Sequence, residues 1–351
     1  MATKFSNKKL HKASQAKEDE FYTQLTDIEN ELKYYKNQFR DKVVFCNCDD
    51  PYVSNFFHYF AYKYEALGLK KLITTCYKNR QYDLFSNNED NEAVYLEYTG
   101  DKNGDRVPSP EEIGIKMLKG DGDFRSRECI ELLKQADIIV TNPPFSLFRE
   151  YVAQLMEYKK KFLIIGNKNA ITYKEIFKLI KANKIWTGYR GFSGGMWFYT
   201  TDDSENYDRV DNGRKLKNVP SIWFTNLDTA KRHEKLVLYK KYNHEEYLKY
   251  ENYNALNVNK ISEIPMNYGG AMGVPITFLD KHNPEQFEII GLGISNSGIE
   301  IGVKPYKEEH KKYRKEVQKR GAVDGDLYMI TNGIVDVPYA RVIIKNREIK
   351  N

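Results

Sequence analysis

Residues 136–148 read ADIIVTNPPFSLF. The apolar run through Ile138, Ile139 and Val140 reads as a buried strand. It stops at Asn142, because Pro143 and Pro144 have no backbone N–H to give to a sheet ladder. From Phe148 to about 158 the spacing is helical, and 161–166 (KFLIIG) is a second apolar strand.

The same rhythm extends in both directions. Upstream, a helix is predicted over 24–38, with Leu25, Ile28, Leu32 and Tyr35 on one face, followed by a strand at 42–46 (KVVFC). A polar loop at 47–51 precedes a helix over 53–67, with Gly68 as its natural C-cap. A strand at 69–75 and a helix at 128–135 lead back to the starting run, and a further helix follows at 172–183. Residues 83–110, with Gly100, Gly104, Pro108 and Pro110, look like an excursion from the core. Strands alternating with helices imply an α/β fold: a mostly parallel sheet covered by helices on both faces. Aromatic-rich runs at 184–189, 195–200 and 221–226 have no helices between them and suit an antiparallel edge of that sheet. After Asp228 the composition shifts to Lys, Tyr, Asn and His, then to glycines and short β-type runs such as 287–291 and 339–344. The expected organisation is a flexible basic arm at 1–20, an α/β domain at 21–228 and a β-rich domain at 229–351.

Composition narrows the class. The chain has 351 residues, 41% hydrophobic and 14% aromatic, enough for a sizeable core and unlike a disordered chain. No window approaches 18 consecutive apolar residues, so no membrane-spanning helix is expected. The first twenty residues carry no signal-type apolar stretch. Cysteines at 46, 48, 76 and 129 are too few for a disulfide scaffold, and a reducing cytoplasmic setting is expected. Cys46 and Cys48 lack the spacing and partners of a zinc site, so no metal is expected. Lys and Arg number 55 against 49 Asp and Glu, a net +6 that permits a polyanionic partner.

The sharpest chemical signal is Asn142-Pro143-Pro144-Phe145. Such a run arises by chance on the order of once in a hundred chains of this length. It sits at the C-terminal end of a strand, where open α/β sheets bind ligands. An exocyclic amine of adenine or cytosine is a poor nucleophile, because its lone pair is delocalised into the ring. Two acceptors on its N–H bonds, Asn142 Oδ1 and the Pro143 carbonyl, draw the nitrogen toward a tetrahedral shape. The prolines hold that carbonyl in place, and Phe145 offers a face on which a flipped base stacks. The competing reading is a rigid turn with a core phenylalanine.

Three weaker signals suggest a cofactor pocket. Asn47, Asp49, Asp50 and Pro51 follow the first strand, where an aspartate can pair with an α-ammonium group. Asp49 or Asp50 as a helix cap before Pro51 explains the same residues. Asp121, Asp123 and Phe124, in GDGDFR, offer acceptors and a ring to an adenine moiety, or form an Asp-Gly turn. Tyr22 and Thr23 lie where an N-terminal segment can fold over the pocket, or where Thr23 caps the first helix. Basic runs at 231–233, 240–242, 304–307 and 311–315 make a basic, tyrosine-interleaved surface plausible, or are solvated faces.

Taken together and in order, DEFYT at 19–23, CNCDDP at 46–51, GDGDFRS at 120–126 and NPPFS at 142–146 resemble the EcoRI-type adenine-specific DNA methyltransferase family. Later blocks at 162–171, 223–228 and 273–278 are similar to it too. The resemblance implies a Rossmann-like domain that transfers a methyl group from S-adenosyl-L-methionine to adenine N6 in duplex DNA, followed by a target-recognition domain. It implies Asn142, Pro143, Pro144 and Phe145 as base-handling residues. It implies Tyr22, Thr23, Asn47, Asp49, Asp50, Pro51, Asp121, Asp123 and Phe124 as cofactor-binding residues. It also implies a bacterial or phage enzyme acting as a monomer near the nucleoid, and it leaves room for a cognate restriction endonuclease. The chain departs from the broader methyltransferase pattern twice. The loop at 47–51 lacks Gly-x-Gly, and the strand ending at Thr75 lacks an acidic residue for the ribose. An RNA adenine or protein glutamine substrate, or a catalytically silent DNA-binding module, are the alternative functions.

Overall fold

The computed structural model describes residues 22–48, 54–75, 93–104, 108, 112–192, 195–200 and 204–349. The arm at 1–20 and Asp49, Asp50 and Pro51 lie outside the described residues. The chain divides into two units, Met1–Ala170 with Thr187–Leu227, and Ile171–Trp186 with Asp228–Asn351.

The first unit runs β1 (Tyr22–Thr23), α1 (Leu25–Leu32), β2 (Val43–Asn47), α2 (Asn55–Tyr62), β3 (Lys71–Thr75), β4 (Val94–Tyr98) and β5 (Ile113–Met117). It continues α3 (Arg127–Gln135), β6 (Ile138–Thr141), α4 (Phe148–Glu157), β7 (Lys161–Asn167), β8 (Trp186–Thr187), β9 (Met196–Tyr199), β10 (Arg209–Asp211), β11 (Arg214–Val219) and β12 (Ser221–Thr225). The large sheet has the order β5-β4-β3-β2-β6-β7-β12-β8. Its centre, β3-β2-β6-β7, is parallel, while β4, β5 and β12 run antiparallel to their neighbours.

Both faces of the centre are covered, which is why its strands read as continuous apolar runs. Val44, Cys46, Ile138, Val140, Leu163 and Ile165 alternate onto one face and join a cluster with Ile28, Leu32, Phe56 and Phe60 from α1 and α2. Gly166 lies on the opposite face, where a Cβ would stand 2.5 Å from the ring of Phe148, the first residue of α4. Phe148 also meets Phe224 of β12 at 5.0 Å between centroids.

Several local expectations change. The stretch 83–110 is not wholly an excursion: β4 adds to the sheet beside β3, with Leu96 and Tyr98 buried. Its alternating apolar residues are diluted by polar neighbours, which hides a strand in the linear pattern. The run at 195–200 does not join the large sheet. As β9 it forms a second sheet, β1-β9-β11-β10. Thr23 is not a helix cap; Gln24 precedes α1, and Thr23 pairs with Phe198. Ser54, rather than Asp49 or Asp50, caps α2, its hydroxyl accepting from the N–H groups of Phe56 and Phe57. Gly68 does end the turn of helix Tyr64–Leu67, at φ 63°.

The second unit contains α5 (Lys174–Lys181), β13 (Leu256–Asn257), β14 (Met272–Pro275), β15 (Phe287–Gly293), α6 (Ser295–Glu300), α7 (Glu308–Glu316), β16 (Met329–Thr331), β17 (Ile334–Asp336) and β18 (Arg341–Asn346). Its sheet has the order β13-β14-β18-β15, and β16-β17 is a separate ribbon. Tyr250, Ala255, Val303, Leu327 and Ile343 form its core. Lys174 at the start of α5 pairs with Glu300 at 2.5 Å. No helix among the described residues is long and apolar enough to cross a membrane.

Candidate active site

The large sheet changes direction beside β2. The chain goes from β2 outward through β3, β4 and β5, and returns on the other side of β2 as β6. Open α/β sheets hold ligands at such a switch point, outside the C-terminal ends of the strands. The ends that meet there are Asn47 of β2 and Thr141 of β6.

Their register is tight. Val44 and Phe45 align with Ile138 and Ile139, so three residues on Asn47 lies beside Thr141. The Thr141 hydroxyl donates to the Asn47 carbonyl. The Tyr151 hydroxyl on α4 donates to Asn47 Oδ1. Asn47 is therefore fixed at both its backbone and its side chain, with 2% of its surface exposed. Cys48 then takes a left-handed conformation at φ 64°. That conformation is costly for a side-chain-bearing residue, by about 1–2 kcal/mol, and it is the turn a glycine-rich loop would make freely.

On the other side, Asn142 and Pro143 are buried, and Pro144 and Phe145 are half-buried. The Pro144 carbonyl accepts from Leu147 N–H at 3.0 Å. The Pro143 carbonyl receives no hydrogen bond among the described residues. It remains an available acceptor next to the Asn142 amide. Phe145 meets Phe198 of β9 edge to face at 6.3 Å.

Phe198 brings the N-terminal segment to the same place. Thr23 lies directly across from it and Tyr22 across from Tyr199. Asn55 Nδ2, at the start of α2, donates to the Thr23 carbonyl at 2.7 Å. Thr23 Oγ1 is buried and has no hydrogen-bond partner among the described residues. The turn between β8 and β9 is held by a buried carboxylate. Glu31 accepts from Tyr189 N–H at 2.5 Å, Arg190 N–H at 3.0 Å and the Tyr35 hydroxyl at 2.9 Å. Burial pushes its carboxyl above the ordinary range, and those hydrogen bonds pull in the opposite direction.

The GDGDFR segment is less open than its sequence suggests. Phe124 is 4% exposed, its ring edge-on to Tyr151 at 5.0 Å. Its carbonyl accepts from Gln154 Nε2 at 3.0 Å. Asp123 accepts from both the backbone and the guanidinium of Arg125, at 2.7–2.9 Å. Burial alone would raise the Asp123 carboxyl, but the Arg125 hydrogen bonds outweigh it and hold it below its usual value. Asp121 is exposed and accepts from Asp123 N–H at 3.0 Å, forming the turn. Ser126 caps α3.

The family model for the adenine-specific methyltransferase EcoRI matches residues 9–347. This chain belongs to that family. The chain is 49% identical, over the full length of both proteins, to the type II methyltransferase M.EcoRI of Escherichia coli. It is 40% identical to M.MgeORF184P of Mycoplasma genitalium, over 80% of this chain and 85% of that protein. It is 39% identical to M.MpnI of Mycoplasma pneumoniae, over 80% and 84%. No solved structure matches the chain. The mixed sheet and its helices are consistent with a methyltransferase fold, and a methyltransferase requires a methyl donor.

For a member of this family, the sequence reading overlooked Tyr151. Its only linear signal is a tyrosine on the apolar face of α4, three residues after Phe148. Nothing in the chain near Asn47 announces the partner, since the two lie 104 residues apart.

Proposed function

We propose that this DNA adenine methyltransferase transfers a methyl group from S-adenosylmethionine to N6 of an adenine flipped out of duplex DNA at one short recognition sequence. The observation that carries the reading is that Asn142-Pro143-Pro144-Phe145 leaves β6 directly beside Asn47 at the switch point. Neighbouring strands stand about 4.8 Å apart, so ligands held at these two strand ends touch each other.

When bound, S-adenosylmethionine supplies an electrophilic methyl on a positively charged sulfur. The residues present fit such a donor: the buried, unmet Thr23 hydroxyl needs a polar partner, and the pinned Asn47 and left-handed Cys48 begin the loop that would hold it. Asp49, Asp50 and Pro51 follow Cys48 in the sequence and, with Tyr22, would complete the donor-binding set, and Asp121 is the open acceptor of the GDGDFR turn. Asp123 and Phe124 support that turn from within, through Arg125 and Tyr151. Asn142 Oδ1 and the Pro143 carbonyl accept the two N–H bonds of the adenine amine and concentrate its lone pair on the donor side. Phe145 stacks on the flipped ring. Positioning and electrostatics carry the rate, and no strong base is required before transfer. The second unit serves target recognition. On this reading the enzyme is a cytoplasmic monomer, and a cognate endonuclease completes a restriction-modification pair.

The test incubates purified protein with labelled S-adenosylmethionine and unmethylated plasmid, and maps N6-methyladenine by single-molecule sequencing. Methylation at one motif is expected. Donor binding without transfer to DNA would move the substrate to RNA adenine or a glutamine amide; absence of donor binding would leave a silent DNA-binding module. Asn142→Ala is expected to abolish transfer while duplex binding persists, and retained turnover would overturn the mechanism.

A further inference from the structure

The basic runs singled out after residue 228 are partly neutralised within the second unit. Lys231 pairs with Asp280, Lys240 with Glu246, Lys307 with Glu251 and Lys311 with Asp324. Arg314 is spent on the Gly321 carbonyl. Two arginines without a carboxylate partner among the described residues lie together in the first unit, on a hairpin that no sequence motif announced.

That hairpin is β10-β11, closed by Asn212 at φ 47° and Gly213 at φ 78°. Two left-handed residues in a two-residue turn match the right-handed twist of a ribbon. Residues 205–214 are all exposed, so the ribbon projects from its sheet. Arg209 lies across from Leu216, and Leu216 across from Tyr199. The period of two then sets Arg209, Arg214, Trp197 and Tyr199 on one face. The Arg209 guanidinium lies 4.2 Å from the Trp197 ring centroid, and that of Arg214 lies 4.8 Å from the Tyr199 ring. Neither guanidinium reaches a carboxylate within 4.0 Å among the described residues. By contrast, Lys217 on the opposite face is paired with Asp208 at 2.9 Å.

We infer that this face is a DNA-backbone clamp: Arg209 and Arg214, held over Trp197 and Tyr199, bind phosphates of the duplex next to the target base. The inference rests on the DNA reading above. Charge complementarity selects the occupant, since two unpaired guanidiniums present planar forks that match phosphate oxygens. Stacking on the rings pre-orders the side chains, so less entropy is lost when a phosphate binds. Location supports the same occupant. Phe198, between Trp197 and Tyr199 on β9, faces the other way and touches Phe145. The clamp and the base-stacking residue are therefore opposite sides of one strand. A two-stranded ribbon is also of a size that a DNA groove admits.

The test measures duplex binding by fluorescence anisotropy over a salt series, with full-length protein and a methylatable duplex. Removing two phosphate contacts lowers the slope of log affinity against log salt by about 1.8. Arg209→Gln with Arg214→Gln is expected to show that change and to weaken binding roughly tenfold or more. Donor affinity and turnover at saturating DNA should hold. Lys217→Gln, which removes a cation already paired, is expected to leave the slope unchanged. Should the double variant lose its native melting transition, the single variants carry the test, each with a slope change of about 0.9. A wild-type slope in folded variants overturns the clamp while leaving the DNA reading intact. Failure of the wild-type protein to methylate any duplex would instead overturn the reading beneath it.

Discussion

Replacing Tyr151 with Phe removes one oxygen atom from the centre of the site. The ring of Tyr151 is fully buried and packs on Phe124 at 5.0 Å, so phenylalanine keeps the packing. What it loses is the hydroxyl that donates to Asn47 Oδ1. Asn47 is itself buried, and water cannot replace the donor cheaply. Leaving a buried acceptor without its donor costs about 1–3 kcal/mol. In a unit of this size, each kcal/mol lowers Tm by about 2–4 °C, so a central cost of about 2 kcal/mol means a fall of about 4–8 °C. The functional effect follows from the same bond. If Asn47 must be re-ordered when the donor binds, donor affinity falls about tenfold for each 1.4 kcal/mol spent. Turnover at saturating donor should change less, because Asn142 and Pro143 are untouched. Differential scanning fluorimetry and the KM for S-adenosylmethionine read both effects. Tyr151→Leu also loses the Phe124 contact and should be worse, since a large-to-small core change costs about 2–5 kcal/mol. A Tyr151→Phe protein with wild-type Tm and wild-type KM would refute the idea that this hydroxyl holds the cofactor strand in place.

Three further outcomes are expected. Gly166→Ala would drive a Cβ to 2.5 Å from Phe148, three residues beyond the Asn142–Phe145 turn. Overpacking of about 1–3 kcal/mol should lower both Tm and kcat, and an unchanged kcat would show that the turn is insulated from α4. Phe145→Ala should weaken the flipped state by about 1–3 kcal/mol, read as loss of the 2-aminopurine signal from a duplex carrying that base at the target; an unaltered signal would remove Phe145 from base stacking. His282 donates to the Phe287 carbonyl at 3.0 Å, and burial lowers its pKa to about 4. An unfolded histidine titrates near 6.5, so this neutral side chain contributes stability above about pH 6.5 that is lost as pH falls toward about 4, at most about 3 kcal/mol. Urea unfolding at pH 7 and pH 5 should show the loss in the wild type and a flatter response in His282→Gln; equal responses would discount the histidine.

The site was partly legible before any coordinates. The Asn142–Phe145 turn could be read because its chemistry is local: two prolines and an aromatic residue at the end of an apolar run. Asn47 stands out only as the first polar residue after the apolar run at 42–46; the structure extends that strand to include it. In the GDGDFR segment the Asp-Gly turn is legible, but nothing along the chain reveals that Phe124 will meet Tyr151 or that Arg125 will occupy Asp123. The strand Val94–Tyr98 was hidden by polar neighbours, and the cap at Ser54 by two more conspicuous aspartates nearby.

Residue order alone determined the alternation of strands and helices, the stops imposed by proline and glycine, and the Asn-Pro-Pro-Phe turn at the end of β6. Each depends on backbone geometry and side-chain shape over a few neighbouring residues. Only the tertiary structure decided which strands became neighbours. It set β6 beside β2, joined Tyr22–Thr23 to Met196–Tyr199, and laid two arginines over aromatic rings on a projecting ribbon. Backbone pairing uses the same N–H and C=O groups in every strand, so it carries no address of its own. Partners separated by a hundred residues are chosen by how the whole core packs.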